Sequence, residues 1–162
     1  MNFFKKLFAS AGKKSAPDTG PTPTRNINLP FLPIPENGPK FAQQFVDAVS
    51  KNEHKRLDFG VNTLDFVDSF LQRFSDEGLT VNDFAETIFV AGAYVGEVMI
   101  KNNNGIWIKQ EEANLPEGVS MTPILVKLPN GSIVDPVAKA FKRFYYGASE
   151  DLKYFYQVFT ND

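Results

Sequence analysis

The stretch Ile88 to Ile100 reads IFVAGAYVGEVMI: thirteen residues with one charge, Glu97, and two glycines, Gly92 and Gly96, spaced by four. A helix that is apolar on every side is buried on every side. The run therefore predicts a central helix around which the other elements pack. A carboxylate inside it must find a partner or lose its charge. Gly92, Ala93 and Gly96 form a flat strip on that helix, where another backbone can approach closely. The neighbour expected there is a second helix or the strand that carries Trp107, with the indole largely buried and its N–H bonded. Glu97 itself is expected to be structural, paired with Arg143, Arg73 or a lysine, or held by loop amides. Such a partner would keep its pKa below the ordinary carboxylate value. The alternative is a general acid or base of raised pKa, with Asp135 and Lys139 as companions.

Working towards the N-terminus, Thr80 and Asp83 make a capping box for this helix, with Asp in place of the usual Glu. Leu64, Val67, Phe70, Leu71 and Phe74 give the apolar stripe of a helix that begins near Thr63 and stops at Gly78. Phe41, Phe45 and Val49, with Val46 on the flank, give another from Pro39 to about Arg56, capped by Asn37 or Gly38. Working towards the C-terminus, Asn103-Asn104-Gly105 is a turn. A strand follows at Ile106-Trp107-Ile108, then a polar loop, then a strand over about Thr122 to Leu128. Asn130-Gly131 has hairpin-turn chemistry, with Ser132 to Val134 returning. Asp135-Pro136 opens a helix that ends at Gly147. Ser149 is expected to cap a last helix whose Leu152, Phe155, Tyr156 and Phe159 face inward. Three helices, a small antiparallel sheet of about three strands and two further helices define an α+β domain.

Two segments precede that domain, giving expected boundaries at 1–14, 15–37 and 38–162. In Met1 to Lys14, Phe3, Phe4, Leu7 and Phe8 share one helical arc away from the lysines, the pattern of a short interfacial helix and a candidate for membrane-surface contact. Ser15 to Pro39 holds seven of the eleven prolines. Its first part, SAPDTGPTPT, reads as a mobile, extended linker. Its second, NLPFLPIP, reads as a stiff apolar segment seated in a groove of its own domain.

Composition excludes several chemistries. The 162 residues suit one domain. The chain has no cysteine and one histidine, His54, in the polar KNEHKR run at a helix end. Disulfides, thiolate sites and multi-histidine metal sites are thereby ruled out. No phosphate loop, dinucleotide fingerprint, nucleophile elbow or H-E-x-x-H motif is present. Residues 1–37 carry a balance of +3 and the remainder −5. An acidic domain repels nucleic-acid phosphates and suits a basic protein partner better. With no apolar run of membrane-spanning length and no signal-peptide core, the expected location is the cytoplasm, peripheral to the inner face of the membrane where the N-terminal segment makes contact.

The order G-A-Y-V-G-E on a helix, G-I-W-I on a strand, then L-P-N-G-S-I-V-D-P, K-R-F and D-L-K-Y-F-Y resembles a group of small bacterial domains of unknown function. These carry a glycine-and-glutamate helix before a tryptophan strand. The resemblance spans about Thr80 to Phe159 and implies a bacterial, stand-alone domain with no chemistry to carry over. The function expected from all of this is a non-enzymatic interaction protein, of the inhibitor or immunity type, that binds a protein partner. The alternatives are a peripheral membrane adaptor and an enzyme using Glu97. No catalytic residues, cofactor or metal site are expected, and the one candidate polar site is Glu97 with Asp135 and Arg143.

Overall fold

The computed structural model describes residues 16–117 and 122–160. The basic segment with Phe3, Phe4, Leu7 and Phe8 lies outside them. The described chain is α+β. Helices α1 (Gly38–Glu53), α2 (Thr63–Asp76) and α3 (Val81–Asn103) precede the strands β1 (Ile106–Lys109), β2 (Ile124–Lys127) and β3 (Ile133–Val134), and α4 (Pro136–Tyr146) and α5 (Leu152–Thr160) follow. The sheet is antiparallel in the order β1-β2-β3, with Trp107 opposite Val126 and Val126 opposite Val134.

Helix α3 is the axis, and every residue from Phe84 to Met99 is buried. The Thr80–Asp83 box forms in both directions: Thr80 Oγ1 accepts from the Asp83 amide at 3.1 Å, and Asp83 accepts from the Thr80 amide at 2.9 Å. These bonds satisfy N–H groups that a helix start otherwise leaves open. The stripes of α1 and α2 are buried as their spacing predicts, through Phe41, Phe45 and Val49 and through Leu64, Val67, Phe70, Leu71 and Phe74. Their rings meet edge to face, as in Phe41–Phe89 at 5.0 Å and Phe45–Phe70 at 5.3 Å, a favoured aromatic geometry.

Local boundaries differ in two places. Helix α1 stops at Glu53, short of Arg56, because His54 takes a left-handed conformation at φ 51°. The last helix is capped by Asp151, not Ser149: Asp151 Oδ1 accepts from the Tyr154 amide at 2.7 Å, while Ala148–Glu150 forms a 3-10 turn.

The larger difference is in the proline-rich segment. Where polarity predicts a mobile linker, residues 18–29 form a strap across the start of α3. Asp18 accepts from the Val81 amide with both oxygens, at 2.8 and 3.0 Å, which places an anion at a helix N-terminus. The Thr24 amide donates to Asn82 Oδ1 at 2.9 Å, and Asn82 returns a bond to the Thr24 hydroxyl at 2.7 Å. Arg25 forks onto the Glu86 carboxylate at 2.8 and 2.7 Å. Ile27 and Leu29 then pack against the core. Phe31 and Leu32, expected in the groove with them, are instead 39% and 71% exposed.

The glycine strip seats α4. A Cβ on Gly92 would stand 2.5 Å from Val137 Cα and 3.0 Å from the Pro136 carbonyl. Backbone cannot yield as a side chain can, so Gly92→Ala is expected to destabilise by about 1–3 kcal/mol by overpacking. The ~1 kcal/mol by which alanine exceeds glycine in helix propensity would only partly offset this. Urea denaturation checks it. A variant as stable as wild type would mean that α4 does not rest on this strip.

Candidate functional site

Trp107 reaches α3 and the start of α1 together. A Cβ on Gly96 would collide with the far edge of the indole, and one on Gly38 would collide with its pyrrole side. The ring thus slides between two residues that have no side chain to obstruct it. Most of its surface is covered, as its apolar surroundings in the sequence predict, and Ile108 beside it is buried. In that slot the indole Nε1–H donates to Glu97 Oε2 at 3.1 Å.

Glu97 is 5% exposed, and Trp107 is its one hydrogen-bond partner among the described residues. Among the described residues no cation pairs with it, and Arg143 and Arg73 are engaged elsewhere. With no ion pair to offset desolvation, burial raises its carboxyl above the ordinary value. The indole donor and the nearby Lys101 charge pull the other way and do not prevail. This reverses the direction predicted from the sequence, and the physical reason is a neutral donor in place of a cation.

Glu97, Asp135 and Arg143 do not form one site, because Asp135 and Arg143 stand apart on α4 and Arg143 turns to α2. Asp135 caps α4, its Oδ1 accepting from the Ala138 amide at 2.9 Å. Arg143 lies eight residues on, about 12 Å along the helix at ~1.5 Å per residue. There it is 5% exposed; its Nε donates to Asp68 Oδ1 at 2.7 Å and its Nη1 donates to Gln72 at 2.7 Å. Asp68 also accepts from the Leu152 amide at 3.1 Å, so one carboxylate on α2 holds α4 and the start of α5. Burial raises this carboxyl too, against the Leu152 amide and the Arg143 guanidinium. Arg73 pairs with Glu53 between α2 and α1.

Tyr94, the tyrosine of the same motif, is a polar centre that the sequence reading does not single out. Its hydroxyl accepts from the Phe59 amide at 3.0 Å and shares a 2.7 Å bond with Thr63 Oγ1. Asn102 Nδ2 donates to the Phe59 carbonyl at 2.9 Å. The Phe59 ring stacks on Tyr94 at 5.0 Å, with the Lys101 ammonium 4.9 Å from its centre. Phe59 has φ 63°, a costly conformation for a bulky residue, and the side chains from α3 hold it there. The only signal in the sequence is an apolar run carrying one phenol, whose buried hydroxyl must find a partner.

Each of these members of G-A-Y-V-G-E therefore has a structural task. Gly92 admits α4, Tyr94 locks the α1–α2 loop, Gly96 admits the indole and Glu97 receives its N–H. A cavity of about 260 Å³ opens between the strap and the body, lined by Arg25, Ile27, Leu29, Phe89 and Phe141 among others. Arg25 directs its N–H groups to Glu86, Asn26 and Asn82, and the Thr122 hydroxyl donates to the Ile124 carbonyl. Among the described residues, no group of three or more acidic or histidine side chains is placed to hold a metal ion, and no helix is long and apolar enough to cross a membrane. Compared with known proteins, the chain matches no family model, no curated protein and no solved structure.

The Glu97–Trp107 bond has a pH signature. Because the folded pKa lies above the unfolded one, the native chain takes up its proton first. This group's contribution to stability therefore rises as pH falls through the folded value towards the unfolded value near 4.3. Glu97→Gln keeps an oxygen for the indole and removes the desolvated charge. It is expected to change stability at pH 7 by less than about 1 kcal/mol and to reduce the pH slope, leaving the parts due to Asp18 and Asp68. Glu97→Leu leaves the indole donor unpaired and should cost about 1–3 kcal/mol. Denaturation of the three proteins at pH 5 and pH 7 tests this. A Gln variant as damaged as the Leu variant would restore the ion-pair account.

Proposed function

We propose that the chain is a non-enzymatic bacterial interaction protein of the inhibitor or immunity type, acting by binding a basic protein partner. The observation that carries this reading is one outer face made by α2, the end of α4 and α5. Lys153 on α5 meets Asp65 on α2 at 3.3 Å, and Gly147 after α4 lies beside Gln72 on α2, so the three elements are continuous. Tyr145, Tyr146 and Tyr154 stand out on these elements, 36%, 56% and 66% exposed, whereas Tyr94 and Tyr156 are buried. Exposed tyrosine is the residue type that anchors protein interfaces, with an apolar ring and a polar tip. The same elements and their ends carry both signs, Asp65, Asp76, Glu77 and Asp151 beside Arg73, Lys142 and Lys153, while the domain as a whole carries the −5 balance. That balance favours a basic partner.

The proposed place of action is the bacterial cytoplasm, against the inner face of the membrane where the basic N-terminal segment makes weak surface contact through Phe3, Phe4, Leu7 and Phe8. The structural tasks of Glu97, Tyr94, Asp135 and Arg143 support binding over catalysis.

The test is co-expression with the products of the adjacent genes, followed by gel filtration and calorimetry over a salt series of any complex that forms. A one-to-one complex that weakens with salt is expected. Tyr146→Ala and Tyr154→Ala are each expected to weaken it about tenfold or more, with the melting temperature unchanged. Binding that ignores both substitutions and salt would contradict this choice of face.

A further inference from the structure

We propose that the strap is exchangeable: residues 18–29 of one copy occupy the α3 groove of a second copy, and the reverse, in a two-fold dimer. This is independent of the partner-binding reading.

The strap is held by a small, chemically specific set of bonds. Asp18 sits on the Val81 amide, Thr24 and Asn82 bond reciprocally, and Arg25 contacts Glu86 and the Asn82 carbonyl. The Asn28 amide adds a bond to Glu86 at 3.2 Å. Its apolar anchors, Ile27 and Leu29, are only partly buried. Every one of these hydrogen-bond partners lies on the strap or on α3, so a strap from another copy makes the same bonds. The balance between closed and exchanged forms then rests on the hinge and on concentration.

The hinge is residues 30–37, and exchange requires only that it straighten. Its own turn is closed by the Ile34 amide on the Leu32 carbonyl, the Asn37 amide on the Ile34 carbonyl and the Asn37 side chain on the Leu32 carbonyl, each at 2.9 Å. Pro30 and Pro33 bias the first part of the hinge towards an extended chain, and Pro35 opens the 3-10 turn Pro35–Asn37 that straightening would undo. Eight extended residues reach about 26 Å, enough to cross to a neighbour. The closed hinge leaves Leu32 71% exposed, while Phe31 rests its ring edge to face on Phe41 at 5.6 Å. In a two-fold dimer the paired hinges bring the two Leu32 side chains together and away from water.

Charge reversal tests exchange directly. Arg25→Glu places two carboxylates together in the closed form, and Glu86→Arg places two guanidinium groups together. Consider an exchanged dimer of one Arg25→Glu copy with one Glu86→Arg copy. On one side the introduced carboxylate at position 25 meets the introduced guanidinium at position 86. On the other side the native Arg25–Glu86 contact is kept. Mixed in equal amounts, the two variants are expected to give a heterodimer by native mass spectrometry, with a melting temperature above that of either alone. The double variant Arg25→Glu/Glu86→Arg shows whether the reversed pair works within one chain. As a measurement that needs no variant, tagged and untagged wild type are concentrated together into the millimolar range and diluted. A hybrid dimer that dissociates slowly is expected. A mixture that behaves as the sum of its parts, together with wild type that forms no hybrid, overturns the proposal. So does a dimer formed equally well by either single variant alone, since that would use another surface.

Discussion

The constraint on which the rest depends is that α3 has no solvent face between Phe84 and Met99. A two-layer domain normally buries one stripe of each helix. Here one helix must be covered on all sides, and the other elements are the cover. Helix α1 supplies Phe41 and Phe45, α4 lies on Gly92, and the Trp107 strand reaches Gly96. The strap covers the first turns of α3, and the α1–α2 loop is locked by Tyr94. Small residues appear where a neighbour must come close, and polar atoms appear where that neighbour brings a donor.

That arrangement accounts for the dispersed buried polar groups. Glu97 answers an indole, Asp68 answers Arg143 and the Leu152 amide, and Glu86 answers Arg25 and the Asn28 amide. Each joins segments apart in sequence, and the three share no partner. Such bonds add modest net stability, yet breaking one side is expensive because the other side is left desolvated. They therefore select one packing of the cover over its alternatives. The buried carboxylate of an otherwise apolar run, Glu97, is one of these bonds between segments.

What can be read in the chain is local. The Thr80–Asp83 box, the Asp135-Pro136 start and the stripes of α1 and α2 depend on neighbours within one or two turns, and they appear as their spacing predicts. The partners are not legible. A cation is the natural expectation for Glu97, but which donor arrives is decided by how β1 crosses α3. Arg143, a candidate for Glu97 by charge alone, turns instead to Asp68 on α2. The strap escapes the sequence for a different reason. Many of its contacts are hydrogen bonds to side chains and to a helix N-terminus, and these leave no hydrophobic period. Nor does any residue pattern announce that Phe59 will turn left-handed, because that depends on Tyr94 and Asn102 being there to hold it.

If burial of α3 on every side organises the domain, its amides should open only when the whole domain unfolds. Native-state hydrogen exchange as a function of denaturant measures this. The amides of Ile88 to Met99 are predicted to exchange most slowly of all. Their opening free energy should equal that of global unfolding, while the strap and α5 open first. Amides of this stretch that exchange through a smaller, local opening than those of α1 or α2 would contradict the account.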